Sequence, residues 1–195
     1  MSFVDAIKNN EMYNSELVGL AKNRFSDGEI QVAIANHPYR LAKNYLACNP
    51  NITQEAAEVL WDHRGYVFKS ELLRTGAIDL DEQTYWDVYN QYFKKNSRSH
   101  WRMMSAFLGQ AYWRENNGAN RTPGALLEQI FDDLPKSEVR GYTVGRFIEH
   151  NNCTLKLAIK ISVTELDENH NYGGDYKRKA QLKVAELTKK QLESA

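Results

Sequence analysis

The sequence predicts an all-α protein built from repeated helical hairpins. The pattern Asn-x-Thr precedes three separate apolar segments, at Asn51–Thr53, Asn120–Thr122 and Asn152–Thr154. Thr is a favourable N-cap because its hydroxyl accepts a hydrogen bond from a free N–H of the first helical turn. Apolar side chains then recur at three- and four-residue spacing, and no long alternating strand pattern is found elsewhere. A turn and cap that recur before amphipathic segments indicate one small helical unit used several times.

The helical segments follow one another with short turns. Ser15 is the expected cap of the first segment, and Pro38 suits the first turn of another helix. Ile159, Ile161 and Val163 alternate like a strand, but Thr154 as cap and the helical spacing of neighbouring apolar residues favour a helix. The turn-rich segment 115–124 is the best candidate for an internal hinge. We expect helices at 15–23, 28–36, 38–48, 53–63, 65–75, 81–95, 98–115, 123–133, 137–150, 154–167 and 175–195.

Composition limits the kinds of protein that the chain can be. Its 195 residues include 25 Lys and Arg and 25 Asp and Glu, so net charge gives no reason to expect nucleic acid as the partner. Cys48 and Cys153 form no CxxC pair, and we expect a reduced, cytoplasmic protein without disulfides. The N-terminus lacks the pattern of a secretion signal, and no stretch approaches the roughly 18 apolar residues of a membrane span. We therefore interpret the Asn-x-Thr sequences as capping turns and not as glycosylation sites.

The helical hairpins can be aligned with one another. Stretches 15–38, 53–77 and 122–152 each give a helix, a tight turn, a second helix and an exit containing Asn or Gly, and 81–109 is a divergent fourth copy. The phrases that carry the likeness are Val32–Pro38, Asn49–Thr53, and Thr122-Pro123 followed by Ser137–Arg140. With these phrases, residues 15–152 resemble the leucine-rich repeat variant family, a relative of HEAT repeats.

The resemblance implies a right-handed α-solenoid, a superhelix of stacked hairpins that bury their apolar stripes against one another. We expect a helical-repeat domain over residues 1–170 and a basic C-terminal capping helix over residues 171–195. The prototype of the family carries a cysteine cluster for an iron–sulfur centre, and nothing in this sequence matches it, so we expect no metal or cofactor. Residues 38–48 are out of phase with the hairpins and the unit length varies. The alternative is an irregular helical bundle whose hairpins are alike because all hairpins need caps and turns.

Charge is divided between the first and second helices of the hairpins. First helices carry Glu55, Glu58, Asp62, Asp81, Glu82, Asp87, Glu128, Asp132 and Asp133. In HEAT-like stacks the second helices line one common surface, so their cations would form a basic wall able to hold an acidic segment or a phosphate backbone. The alternative is that neighbouring helices pair these charges, at about 0–1 kcal/mol for each exposed pair. The predicted partner-binding residues are Lys69, Arg74, Arg98, Arg102, Arg140 and Arg146.

The sequence contains no pattern typical of a catalytic site, such as a Walker loop, GxGxxG, HExxH or GxSxG. We therefore predict no catalytic residues and a non-enzymatic interaction scaffold that binds an acidic protein partner. One alternative is a nucleic-acid-binding HEAT-like protein, including a DNA glycosylase type of enzyme. Another is an oligomeric structural component that buries exposed aromatic residues near Tyr85–Phe93. The residue types of a HEAT-like glycosylase cleft occur at Trp61, Asp62, Trp86, Asp87, Trp101 and Arg102, but the catalytic motif of that family matches none of them.

Overall fold

The computed structural model describes residues 2–78, 80–93, 97–109, 121–134, 141–165 and 173–194. These residues form twelve α-helices and no strand, which confirms the predicted all-α class. A π-helical segment, Tyr89–Phe93, continues the seventh helix. The helices, numbered α1 to α12 in order, are Phe3–Lys8, Asn14–Lys22, Gly28–Asn36, Arg40–Ala47, Gln54–Trp61, Tyr66–Thr75, Glu82–Val88, Ser97–Phe107, Gly124–Asp132, Gly141–Glu149, Leu155–Val163 and Gly173–Glu193.

Two of the three predicted threonine caps are present. The Thr53 hydroxyl accepts a hydrogen bond from the Ala56 N–H at the start of α5, and Thr154 does the same for the Leu157 N–H at the start of α11. The third prediction is wrong. Pro123 occupies the N-cap position of α9, and the Thr122 hydroxyl donates instead to the Phe107 carbonyl, 2.8 Å away. Thr122 therefore ties two hairpins together and does not start a helix.

Several helix ends differ from the sequence prediction. Ser15 lies inside α2, where the Glu16 carboxylate accepts from the Tyr13 N–H. The short helix α1 was not predicted, although Ser2 and Asp5 form a capping box there. Helix α8 ends at Phe107 and Gly109 has a φ of 68°, so the helix predicted over 98–115 stops early, and 110–120 lie outside the described residues. The strand considered at 159–163 is part of α11.

The helices pack in an alternating pattern. We call the odd-numbered helices first helices and the even-numbered helices second helices. This assignment reverses the hairpin predicted over 15–38, in which α2 was the first helix and α3 the second, because α3 packs on α5 and α2 packs on α4. Among first helices, α1 packs on α3, α3 on α5 and α9 on α11. Among second helices, α2 packs on α4, α4 on α6, α6 on α8 and α10 on α12. In each of these pairs, a helix packs on the helix two places further along the chain. This arrangement brings equivalent faces of successive second helices side by side.

The apolar core consists of two neighbouring clusters. One contains buried residues from α1 to α6, such as Ile34 and Leu60, and the other extends from α6 to α12 and includes Phe107 and Phe147. Adjacent residues of α6 belong to different clusters, with Leu72 in the first and Leu73 in the second. The first cluster thus comes from the N-terminal helices and the second from the C-terminal helices, and α6 contributes to both.

Two equivalent turns between hairpins are held by the same set of hydrogen bonds. Asn49 and His150 end their hairpins, and the side chain of each accepts from the N–H two residues later, at 3.0 and 3.1 Å. Asn51 and Asn152 then donate from their side-chain amides to a backbone carbonyl of the preceding connection, at 3.0 and 2.9 Å. Because Asn49 and His150 make these hydrogen bonds, their buried side chains avoid most of the free-energy cost of burying an unsatisfied polar group.

The long helix α12 packs along α10 and α11. Its Tyr176 ring lies directly over Gly145 of α10, where a Cβ would have no space. An ion pair of 3.0 Å between Lys179 and Glu149 joins the same two helices. The division into domains at residue 170 stays a prediction. In the ranges that the structure describes, none of the helices is long and apolar enough to cross a membrane.

Candidate functional site

The predicted basic wall can be followed at four of its six residues. Lys69 and Arg74 lie on α6, Arg102 on α8 and Arg146 on α10. Arg98 is in α8, but its side chain, like the whole of Arg140, lies outside the part of the chain that the structure describes. The four described cations have different surroundings, and only two of them line a common cleft.

Lys69 is engaged within its own hairpin. Its ammonium group donates a hydrogen bond to the Trp61 carbonyl at the end of α5 and lies 4.6 Å from the centre of the Trp61 ring. Burial lowers the pKa of Lys69, and the Asp62 carboxylate acts in the opposite direction. Lys69 therefore serves as a C-terminal cap of α5.

Arg146 is almost fully buried, with 8% of its surface exposed. Its guanidinium group donates to the Ser105 carbonyl at 3.1 Å and contacts the Ser105 hydroxyl at 3.4 Å. It thereby joins α10 to α8 and is not presented on an open wall.

Arg74 and Arg102 line an open cleft of about 440 Å³ between α4, α6 and α8. The two guanidinium groups hold opposite oxygens of one carboxylate, that of Glu71. Arg74 contacts Oε2 at 2.5 Å and Arg102 contacts Oε1 at 3.0 Å. Only 15% of the Arg74 side chain is exposed, against 48% for Arg102. Arg102 is therefore the cation most available to a ligand in this cleft.

The charge of Glu71 is fixed by its two partners. Burial by itself raises the pKa of this carboxyl, but the charge of Arg74 and hydrogen bonds from Arg102 and Arg74 outweigh it, so the pKa lies below its ordinary value. Glu71 is therefore ionised at neutral pH and is unsuited to donate a proton. Among the charged side chains that line the cleft, two cations face one anion. The cleft carries a net positive charge that favours an anionic ligand.

The cleft also contains residues that the sequence did not assign to it. Trp101 lies at its edge with 51% of its surface exposed, and Ser70, Ser105 and Cys48 complete the lining. Trp101 lies outside the packed face of α8, which Met103, Met104 and Phe107 form. It stands three residues before Met104, a spacing that places two residues on the same side of a helix, so local spacing does not indicate its exposure.

Cys48 and Cys153 are both free thiols with different positions. Cys153 is buried in the core, whereas Cys48 borders the cleft and contacts Glu71 Oε2 at 3.5 Å. Burial, reinforced by the Glu71 charge, raises the pKa of Cys48 to about 11. Its thiol is therefore protonated at neutral pH and is a poor nucleophile.

The surface next to the cleft continues across α4 and α2. Leu41 and Tyr45 of α4 and Cys48 at its C-cap follow one another at helical spacing, and all three are exposed. The Lys22 ammonium of α2 lies 4.0 Å from the centre of the Tyr45 ring. Four successive second helices, α2, α4, α6 and α8, thus present cations and apolar side chains in a row. We call the set Lys22, Leu41, Tyr45, Arg74, Trp101 and Arg102 the second-helix surface.

The interhelical ion pairs link helices of the same kind. Lys156 and Lys160 of α11 pair with Glu128 and Asp132 of α9, the first of these at 2.7 Å. On the second helices, Arg102 of α8 pairs with Glu71 of α6. These pairs join successive first helices or successive second helices, whereas the sequence alternative had acidic first helices pairing with basic second helices.

The residues predicted for the alternative functions lie in different surroundings. Tyr85, Tyr89 and Phe93 are buried in the core of the chain itself, so the prediction that these aromatics are exposed for assembly is wrong. Trp61 packs under Lys69, and Trp86 meets the Tyr89 ring edge-on. Of the glycosylase-like residues only Trp101 and Arg102 line the cleft, without an aspartate beside them. Within the described residues no group of three or more His, Cys, Asp or Glu side chains could hold a metal ion.

Comparison of the chain with protein-family models, curated proteins and solved structures gives no match. The fold and the cleft define the class, an all-α protein with a cationic and aromatic cleft across its second helices.

Proposed function

We propose that this protein is a non-enzymatic scaffold that binds an acidic protein partner on its second-helix surface. The observation that carries the proposal is the cleft of Arg74, Arg102 and Trp101, in which a half-exposed guanidinium group is held beside an exposed indole ring. Ionised Glu71 holds the Arg102 side chain in place, so this side chain loses less conformational entropy when a ligand binds. Arg and Trp are also the side chains most enriched among residues that dominate binding energy.

The alternating packing of the helices supports the architecture that this function needs. In our proposal the hairpins stack as a right-handed α-solenoid related to leucine-rich repeat variant and HEAT proteins. Stacking of this kind places equivalent helices along one continuous face. A binding surface formed in this way grows with the number of hairpins and needs no single deep pocket.

The test compares two variants that each remove one positive charge and one interhelical ion pair. Arg102→Ala acts in the cleft, and Lys156→Ala acts on α11, where the Lys156 side chain is 81% exposed and paired with Glu128. Fluorescein-labelled poly-L-glutamate is the probe, and affinity is measured by anisotropy in about 150 mM salt. Loss of a charge-assisted contact in Arg102→Ala should weaken binding about tenfold. Lys156→Ala should bind as the unchanged protein does.

Equal weakening by both variants would mean that only the net charge matters, and the proposed surface would be wrong. Single-stranded and duplex DNA serve as competing probes. Binding of DNA that exceeds that of polyglutamate and falls steeply between about 50 and 200 mM salt would instead favour the nucleic-acid alternative. Circular dichroism of both variants checks that their helix content is unchanged.

A further inference from the structure

The second-helix surface has a regular geometry that limits the shape of its ligand. Its cations and apolar groups come from α2, α4, α6 and α8, which pack side by side in that order. Packed helices lie about 8–10 Å apart. An extended peptide in the polyproline II conformation rises about 3.1 Å per residue with three residues per turn, so every third side chain points to the same side. Such a peptide crossing these helices meets a new helix about every third residue.

Each helix offers a different kind of contact along this path. Lys22 of α2 offers an ammonium group beside the Tyr45 ring. Helix α4 contributes the exposed apolar residues Leu41 and Tyr45. Arg102 of α8 offers a half-exposed guanidinium group, the less exposed Arg74 of α6 adds positive charge beside it, and Trp101 adds a flat apolar surface next to Arg102. The order along the path is therefore cation, apolar, cation, and cation with an aromatic ring.

We infer that the ligand is an extended acidic peptide in which Asp or Glu residues recur with a spacing of about three. In the order of the helices, the peptide presents an acidic residue to Lys22, an apolar residue to α4, an acidic residue to Arg74 and another to Arg102. An aromatic or aliphatic residue next to the last acidic residue packs on Trp101. This inference rests on the proposed function and adds the conformation and spacing of the bound segment.

The geometry also argues against a helical ligand. Residues on one face of an α-helix are about 5 Å apart, because the helix rises by that distance in one turn. The packed helices of the protein are about 8–10 Å apart, so an α-helical ligand would place a residue over each of them only at every second turn. An extended chain in the polyproline II conformation presents a side chain to each of the four helices within about ten residues. The dimensions of the surface thus fit an extended chain better than a helix.

The experiment uses a displayed library of random dodecapeptides selected on the 195-residue chain, with counter-selection on Arg102→Ala. Trp101→Ala is a second counter-target, and Lys156→Ala is the matched control that should retain the selected peptides. We expect enriched sequences with acidic residues three positions apart and an apolar residue three positions from one of them. Affinities of individual synthetic peptides should fall at least fivefold when the acidic residues are regrouped into one block of the same composition.

The outcomes separate this inference from the proposed function. Enrichment of acidic sequences without a preferred spacing overturns the extended register and leaves the acidic partner in place. Enrichment of sequences that lack acidic residues overturns both. A selection that yields no peptide sensitive to Arg102→Ala overturns the peptide ligand, and the polyglutamate measurement then decides the proposed function independently.

Discussion

His150 occupies, at the end of α10, the position that Asn49 occupies at the end of α4. The two residues belong to the sequences His150–Thr154 and Asn49–Thr53, and each side chain accepts a hydrogen bond from the N–H two residues later. The His150 ring also hydrogen-bonds the Phe107 carbonyl, to which Thr122 donates as well. An imidazole can take the place of a carboxamide here because each side chain has both an acceptor and a donor, although the carboxamide offers two N–H donors and the neutral imidazole only one.

His150 differs from Asn49 in one respect, because only the histidine side chain can gain a proton. Burial, with the nearby charge of Arg146, lowers the pKa of His150 from 6.5 to about 4, although the Phe107 carbonyl acts in the opposite direction. Between these values the unfolded chain binds a proton that the folded protein does not. The free energy of unfolding should therefore decrease as pH falls from about 6.5 to 4, by up to roughly 3 kcal/mol.

His150→Asn should remove most of this pH dependence while changing stability at pH 7.5 by only about 1 kcal/mol. Urea unfolding at pH 7.5, 6.0 and 5.0 measures the effect. Burial also lowers the pKa of His37, so a smaller pH dependence should remain in the variant. A variant that keeps the full pH slope of the unchanged protein would show that His150 is not the responsible group.

At the scale of the elements, the turns between hairpins determine how neighbouring helices are held. The buried Asn49 amide donates to the carbonyls of Ala21 and Asn23, both at 3.0 Å, at the end of the preceding hairpin. Gln31 of α3 similarly accepts from the Thr53 N–H at 2.8 Å and donates to the Asn51 carbonyl. These hydrogen bonds connect residues about 20 to 28 positions apart, so they act between hairpins and not within a helix.

Asn49→Ala should lower the free energy of unfolding by about 2–3 kcal/mol, because buried carbonyls lose their donors. Asn36→Ala is the matched control, since the exposed Asn36 amide donates only to the Val32 carbonyl within α3. That variant should stay within about 0.5 kcal/mol of the unchanged protein. Chemical denaturation of both proteins gives the comparison, and equal losses would contradict a role for the turn.

The element boundaries show what local sequence can predict. Thr53 and Thr154 were identified as caps because an N-cap needs only a hydroxyl and the next few residues. Thr122 carries the same signature but bonds to Phe107, fifteen residues earlier, which no local pattern contains. Ser15 is not a cap because α2 already begins at Asn14, with Tyr13 at the N-cap position and the Glu16 carboxylate accepting from the Tyr13 N–H.

For the whole molecule, the alternating contacts and the two core clusters favour an elongated stack. A compact protein of this length has a radius of gyration of about 16 Å. The proposed solenoid should give a clearly larger value in small-angle X-ray scattering, with a distance distribution skewed to long distances. A symmetric distribution with a radius near 16 Å would exclude the solenoid.

The sequence alone determined the all-α class, two of the caps and the positions of the cations along the chain. Local spacing and capping decide these features because they involve residues within a turn or two of each other. Only the tertiary structure decided which of those cations remain accessible to a ligand. Lys69 caps α5, Arg146 joins α10 to α8, and Arg102 stays half exposed beside Glu71. Arg102 and Glu71 are 31 positions apart, and Arg146 and Ser105 are 41 apart. Pairings over such separations depend on how successive second helices pack, and that packing follows from the burial of the whole core.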